Sequence, residues 1–378
     1  MRKTLNGLFL LFLLIPQAFS GVIPDLETLK LKDLPPAPAP AATAPRLLLQ
    51  AGPVAGYDWS GLPAYIFTEE ERMSPSLVTA IDRTKSTLDV ALYNLQFDDT
   101  IQAMLRARAR GVKVRMIFDY DHVYPKAGKQ IQDVINSGIE TRVMKGRGGS
   151  GSMHCKYAIF DATLLETGSA NWSNLAEAAS YENMIFTVDP HIVSGYGANY
   201  DWMWAQAKPA GQPDAPAAKP SAPPADPKPS VQFNGVTLPN YIFSPRAGTT
   251  AAMVKAIDAA RREVDVAMFA FTSRPLMDAL NRAAARGLKV KVLLYPKSNF
   301  PFREEAKKNR ISVRYKAGRT ENGIMHNKFA VLDDALLING SFNWSATAED
   351  INTENTIFTV VPEYVKPFKA EFEKLYAN

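Results

Sequence analysis

Apolar positions recur every three or four residues from Ser76 to Lys85 and again from Thr100 to Arg110, a spacing that predicts two amphipathic helices. The second is stopped by Gly111, a residue that accepts the backbone a helix end requires. Short, nearly unbroken apolar runs, Leu88 to Tyr93 and Val112 to Phe118, predict buried strands. A further strand is expected from His154 to Phe160, turning at Asp161 and Ala162 into a strand from Leu164 to Thr167. Met184 to Val188 supplies another before a closing helix. Strands and helices thus alternate, which predicts an α/β sandwich whose crossover helices cover a sheet, parallel or mixed.

The pattern is then written a second time. Leu62-Pro63-Ala64-Tyr65-Ile66-Phe67 returns as Leu238-Pro239-Asn240-Tyr241-Ile242-Phe243, and Leu77 to Val114 realigns with Met253 to Val290. Two repeats are expected, residues 57–207 and 231–378, each large enough to bury a core. Two Pro/Ala-rich stretches break the pattern, one within 21–56 and one over 208–230. The second should be an extended tether, reaching roughly 70 Å at ~3.1 Å per residue. Residues 1–20 open with Arg2 and Lys3, continue through the apolar run Leu8 to Ile15 and close on Ala18-Phe19-Ser20. That arrangement predicts a secretory signal peptide and an extracytoplasmic protein, periplasmic or secreted.

Composition changes this picture little. Apolar residues make up 46% and charged residues 21%, as in ordinary globular proteins, and the net charge of +5 suits an anionic substrate without requiring one. Cys155 is the only cysteine, so no intramolecular disulfide can form, and strand alternation turns it away from its neighbours His154 and Lys156. One cysteine and no clustered histidines give no zinc site.

The candidate chemistry lies in one constellation that also occurs twice. His154, Lys156, Asp161, Gly168, Ser169 and Asn171 recur with identical gaps as His326, Lys328, Asp333, Gly340, Ser341 and Asn343, and a glutamate follows each set at one distance, Glu182 and Glu354. Histidine and lysine two apart share one face of a strand. The lysines would supply point charge to non-bridging phosphate oxygens, with amide hydrogens from Asn171 and Asn343 and hydroxyls from Ser169 and Ser341 beside them. The serines have backbone as an alternative partner.

This doubled pattern resembles the phospholipase D superfamily, which cleaves phosphodiesters through a phosphohistidine at two half-sites that meet. The resemblance covers both halves and implies two α/β sandwich repeats packed as a pseudo-two-fold dimer within one chain. A monomer would then be competent without an obligate protein partner. One histidine would attack as neutral imidazole while the other protonates the leaving oxygen and later activates water; the sequence does not rank them. Glu182 and Glu354 are expected to hold the second ring nitrogen of the histidines, as a downstream acid does in this family. Asp161 and Asp333, the acidic members of the motif, are expected to anchor the turn and its lysine. With two lysines and two asparagines at the phosphate, no metal or other cofactor is expected.

Outside the repeat, His122 follows a strand end near the expected site, His191 is expected at the surface, and Trp172 and Trp344 are expected to pack in the cores. Basic loops precede both histidines, Lys145 to Gly151 and Lys316 to Gly323, and each could follow a phosphate backbone. Repeats this compact resemble the small bacterial endonucleases and the mitochondrial cardiolipin-hydrolase relatives of the superfamily. They favour single-stranded nucleic acid as substrate, with a phospholipid headgroup as the alternative. A binder that had lost catalysis would be expected to lack a histidine or lysine in one half, and both halves are intact.

Overall fold

The computed structural model describes residues 57–212 and 221–377, so the expected signal peptide and the stretch 21–56 lie outside the described residues. Repeat 1 runs β1 (Tyr65–Phe67), α1 (Ser74–Arg83), β2 (Thr87–Leu92), α2 (Asp98–Ala109), β3 (Lys113–Asp119), α3 (Lys129–Asn136), β4 (Glu140–Met144), β5 (Lys156–Phe160), β6 (Leu164–Gly168), α4 (Asn174–Ala179), β7 (Asn183–Thr187) and α5 (Pro190–Gln206). A two-residue strand β8 (Lys208–Pro209) and a hairpin, β9 (Val231–Phe233) and β10 (Val236–Leu238), lead onward. Repeat 2 runs β11 (Tyr241–Ser244), α6 (Thr249–Ala259), β12 (Glu263–Met268), α7 (Arg274–Ala285), β13 (Lys289–Leu294), α8 (Arg303–Lys308), β14 (Ser312–Tyr315), β15 (Lys328–Leu332), β16 (Leu336–Gly340), α9 (Ala346–Asp350), β17 (Glu354–Thr359) and α10 (Pro362–Ala377).

The expected α/β repeats are both present, and their sheets are mixed. The first is ordered β1-β7-β6-β5-β2-β3-β4-β8 and the second β11-β17-β16-β15-β12-β13-β14, the same topology apart from the added edge strand. β2, β3 and β4 are parallel, whereas β5 pairs antiparallel to β2 with Lys156 opposite Leu92. The motif histidine therefore emerges beside the carboxyl ends of three parallel strands, where side chains from several loops converge. Repeat 2 reproduces this with Lys328 opposite Met268.

Each sheet has its own core under its crossover helices, including the fully buried Trp172 and Trp344, as the sequence led us to expect. A third core joins the repeats. Tyr157, Tyr196, Phe67, Phe243, Phe329 and Phe368 belong to one buried cluster spanning both sheets, with α5 and α10 between them. Gly195 of α5 is required there, since a Cβ would stand 2.1 Å from the Tyr241 ring of the other repeat. Cys155 lies in the same buried cluster, and burial raises its thiol well above the ordinary range.

The described parts of the segment 208–230, residues 208–212 and 221–230, are docked rather than free, and the expectation of a tether is corrected there. β8 adds to the edge of β4 through Lys208 and Pro209. Farther on, Asp226 accepts hydrogen bonds from the Asn240 backbone and side-chain amides at 2.7 and 3.0 Å and sits 2.8 Å from His191 Nε2. Trp202 donates to Ser221 at 2.8 Å. Composition correctly predicted little apolar burial here, but a few hydrogen bonds to one carboxylate fix the chain without it. His191, expected at the surface, is thereby a half-buried anchor. Among the described residues, no helix is long and apolar enough to cross a membrane.

Candidate active site

The site is built by two crossings between the repeats. The backbone before each motif pairs with the backbone before the other repeat's glutamate: Met153 bridges Thr353, and Met325 bridges Tyr181. His154 N–H donates to Thr353 O and His326 N–H donates to Tyr181 O, both at 2.9 Å. This register carries each glutamate to the histidine of the opposite half. His154 Nδ1 lies 2.8 Å from Glu354 Oε2, and His326 Nδ1 lies 2.7 Å from Glu182 Oε1. The sequence pointed to these glutamates as partners of the histidines but not to the exchange.

Both glutamates are buried and further held by the motif serines. Ser169 donates to Glu182 at 2.6 Å and Ser341 donates to Glu354 at 2.5 Å, while each hydroxyl accepts a backbone N–H, from Asn183 or Asn355, at 3.0 Å. The serine hydroxyls are thus spent on the glutamates, and the expectation that Ser169 and Ser341 bind phosphate is corrected. The motif glycines permit this close approach, because a Cβ at Gly168 would stand 2.3 Å from Asn183 O and one at Gly340 would stand 2.1 Å from Asn355 O.

Lys156 and Lys328 are buried, each donating to the carbonyl of its own histidine at 2.7 Å. Their ammonium groups stand over aromatic faces, Lys156 over Tyr93 at 4.9 Å and Lys328 over Phe269 at 5.3 Å. Burial lowers both, Lys156 to about 8 and Lys328 to about 7, against the pull of the two glutamates. Burial also lowers both histidines, outweighing the glutamate each faces, and His326 falls to about 4. Burial pushes the glutamates up, but the facing imidazole and the nearby lysine more than offset it and keep both carboxyls below their ordinary range. Each pair is therefore a neutral imidazole giving its Nδ1 proton to a carboxylate, which leaves Nε2 with its lone pair.

Asn171 and Asn343, two residues after the motif serines, each have a buried side-chain oxygen without a partner among the described residues. Asp161 and Asp333 are elsewhere, at the far ends of β5 and β15. The Asp161 carboxylate accepts the backbone N–H of Lys85, Ser86 and Thr87 at 2.7–2.9 Å, and Asp333 accepts those of Arg261, Arg262 and Glu263. They anchor their turns, as expected, but among the described residues no hydrogen bond or ion pair connects them to the lysines, and placing them in the catalytic set is corrected: four strand residues separate each from its lysine.

The basic loops also differ from expectation. Arg319 donates to Ser180 O at 3.0 Å and to Glu177 O, so its charge seals the junction of the repeats. The loop at 145–151 docks likewise, Arg147 N–H donating to Ile351 O at 2.7 Å, yet the Arg147 side chain stays exposed. The half-sites are not identical. Tyr93 meets His154 edge-on at 4.9 Å and also His122 at 4.3 Å, whereas Phe269 meets His326 at 4.8 Å and stacks on Tyr295 at 5.5 Å. His122 thus does lie at the site, lowered to about 4 by burial and then by Lys156.

A family profile described as "Cardiolipin synthase, PLD-like domain" matches residues 77–204 and again 253–376. Mitochondrial cardiolipin hydrolase of Xenopus tropicalis is 31% identical over 134 residues, 35% of this chain and 62% of that protein. The Homo sapiens protein of that name is 36% identical over 127 residues, 33% of this chain and 49% of its own length. The chain thus spans between about half and three-fifths of these relatives. The solved phosphatidylserine synthase of Haemophilus influenzae superposes with a TM-score of 0.63 at 12% identity, over 83% of this chain and 86% of that one, which shows a shared fold. Two profile matches, one on each repeat, meet at a site whose motifs, crossings and topology are all duplicated, and the chain belongs to the phospholipase D-like family.

Proposed function

We propose that this protein hydrolyses phosphodiester bonds by in-line displacement between His154 and His326, with single-stranded nucleic acid as substrate. The observation that carries the reading is the crossed pairing: two imidazoles, each held at Nδ1 by the other repeat's carboxylate, with a buried lysine two residues from each. One Nε2 lone pair attacks phosphorus. The opposite histidine, carrying a proton when the anion is bound, delivers it to the departing oxygen, and the P–O bond breaks as the P–N bond forms. The same histidine then removes a proton from water, whose oxygen displaces the first imidazole and restores it. Lys156, Lys328, Asn171 and Asn343 stabilise the charge on the non-bridging oxygens.

Substitution tests this directly. His154→Ala and His326→Ala are each expected to lower turnover of bis(p-nitrophenyl) phosphate by at least three orders of magnitude with unchanged melting. A single variant retaining a tenth of the activity would sink the scheme. Chelator should leave the wild-type rate unchanged, and acid-labile phosphate should be trapped on one of the two histidines.

The relatives' name favours a second reading, a phospholipid as the phosphodiester. Oligothymidylate and cardiolipin vesicles, offered to one preparation, separate the two readings. Cleavage of the oligonucleotide supports ours, and hydrolysis of the lipid alone replaces it.

A further inference from the structure

The two halves repeat each other closely enough that a local departure between them is informative, and one lies beside the site. A cavity of about 730 Å³ opens where residues 145–149 of repeat 1 meet Arg246 of repeat 2. Among the described residues, Lys145, Arg147, Lys208 and Arg246 line it and no carboxylate does. Tyr120 and Trp202 present aromatic surface to the same space. The cavity adjoins the catalytic centre, for Thr353 is part of its wall and the Thr353 carbonyl accepts the His154 N–H.

The quasi-equivalent place on the other half is already occupied by paired charges. By the alignment of the repeats, Glu69 and Glu70 stand where Pro245 and Arg246 line the cavity, and Lys374 stands where Trp202 does. Lys374 Nζ sits 2.8 Å from Glu69 and 2.7 Å from Glu70, so an ion-pair cluster occupies this position. Tyr181 replaces Thr353 and takes Lys316 over its ring at 5.2 Å. The cations of the second side, Lys374 and Arg319, are thus tied to Glu69, Glu70 and the carbonyls of Ser180 and Glu177, whereas Arg147 and Arg246 on the first side remain exposed.

Three of these cations, Lys145, Arg147 and Arg246, are available to a ligand. Lys145 is 2.9 Å from Asp121 and Arg246 is 3.5 Å from Asp350, but both acids are half exposed or more, and such pairs exchange readily for a stronger anion. Arg147 has no carboxylate partner among the described residues. A volume of this size suits a small ligand, and guanidinium groups beside an indole and a phenol suit a phosphate joined to a planar base.

We propose that this cavity holds the nucleotide next to the scissile phosphate, on the His154 side only. Arg147 and Arg246 take its phosphate, and Trp202 or Tyr120 takes its base. Because the cations at the matching position beyond His326 are already paired with Glu69, Glu70 and backbone carbonyls, the strand is bound in a single polarity. This inference rests on nucleic acid being the substrate.

The test compares Arg147→Glu/Arg246→Glu and Trp202→Phe with wild type, on oligothymidylate and on bis(p-nitrophenyl) phosphate, which has neither a second phosphate for the two arginines nor a nucleotide base. We expect KM for oligothymidylate to rise tenfold or more in the double variant and severalfold in Trp202→Phe, with kcat/KM for the small diester within twofold. Thymidine monophosphate should quench wild-type tryptophan fluorescence, and the quenching should be lost in both variants. An unchanged KM for oligothymidylate overturns the subsite, and so does an equal loss on both substrates. If wild type cleaves the small diester but no oligonucleotide, the substrate reading has failed; the mononucleotide titration then decides the cavity alone, and absence of quenching overturns it.

Discussion

Glu182→Gln is the sharpest perturbation of the crossed pairing, because it changes one atom in repeat 1 and should disable the histidine of repeat 2. Glu182 accepts two protons, from His326 Nδ1 at 2.7 Å and from Ser169 Oγ at 2.6 Å. Glutamine offers one carbonyl oxygen and one amide donor, so one of the two is left facing a donor. If Ser169 keeps the oxygen, the amide donates to Nδ1 and the imidazole proton moves to Nε2, removing the lone pair the reaction uses. Losing a hydrogen bond to a charged group costs ~1.5–3 kcal/mol, and a buried donor left without an acceptor costs a further ~1–3 kcal/mol. The sum of ~2.5–6 kcal/mol corresponds to a fall of about 10²–10⁴ in kcat. Lys328 also loses the carboxylate that most supports its charge. The assay is steady-state turnover of bis(p-nitrophenyl) phosphate, with thermal melting as the control for folding. Glu182→Gln combined with His326→Ala should be no worse than His326→Ala alone, since both remove one unit. A Glu182→Gln enzyme within tenfold of wild type, or one whose loss multiplies with that of His326→Ala, would refute the reasoning.

The pH dependence of kcat/KM should place the alkaline limb below ~6.5, the ordinary imidazole value, because both histidines are lowered, His326 to about 4, and the proton-donating form is lost as pH rises; a plateau reaching pH 8 would contradict it. Asp161→Asn keeps the left-handed backbone at φ 50 but weakens an acceptor of three backbone amides, so melting should fall by several degrees while kcat of the folded protein stays within threefold. A protease site placed within residues 213–220 should yield, after cutting, two fragments that co-elute and remain active, because the shared core and both crossings hold the repeats; separation at micromolar concentration would show that this interface is weaker than its burial implies.

Much of this was legible in the chain because the code was local. Histidine and lysine two apart share a strand face whatever the fold, and the repeated gaps showed that both strands and both turns are built alike. What spacing along the chain does not carry is the register between repeats. Glu182 and Glu354 were recognisable as histidine partners, but the backbone bridges at Thr353 and Tyr181 decide that each serves the other half. Ser169 and Asp161 look like phosphate and catalytic groups from their place in the motif, and only their partners show the work they do. Composition misread the segment around Asp226 for a similar reason, since one carboxylate with several donors orders a stretch that has no apolar face.

The exchange of glutamates has a consequence for the life of the molecule. Until the second repeat has been made, the first repeat's histidine lacks Glu354 and its glutamate lacks His326. Each nascent or proteolysed half therefore carries an incomplete reaction centre, and competence arises only when both halves have been made and have docked. An enzyme of the kind proposed here, which would threaten the polymers or lipids of the cell that makes it, is in this way kept inert by its own architecture until assembly is finished.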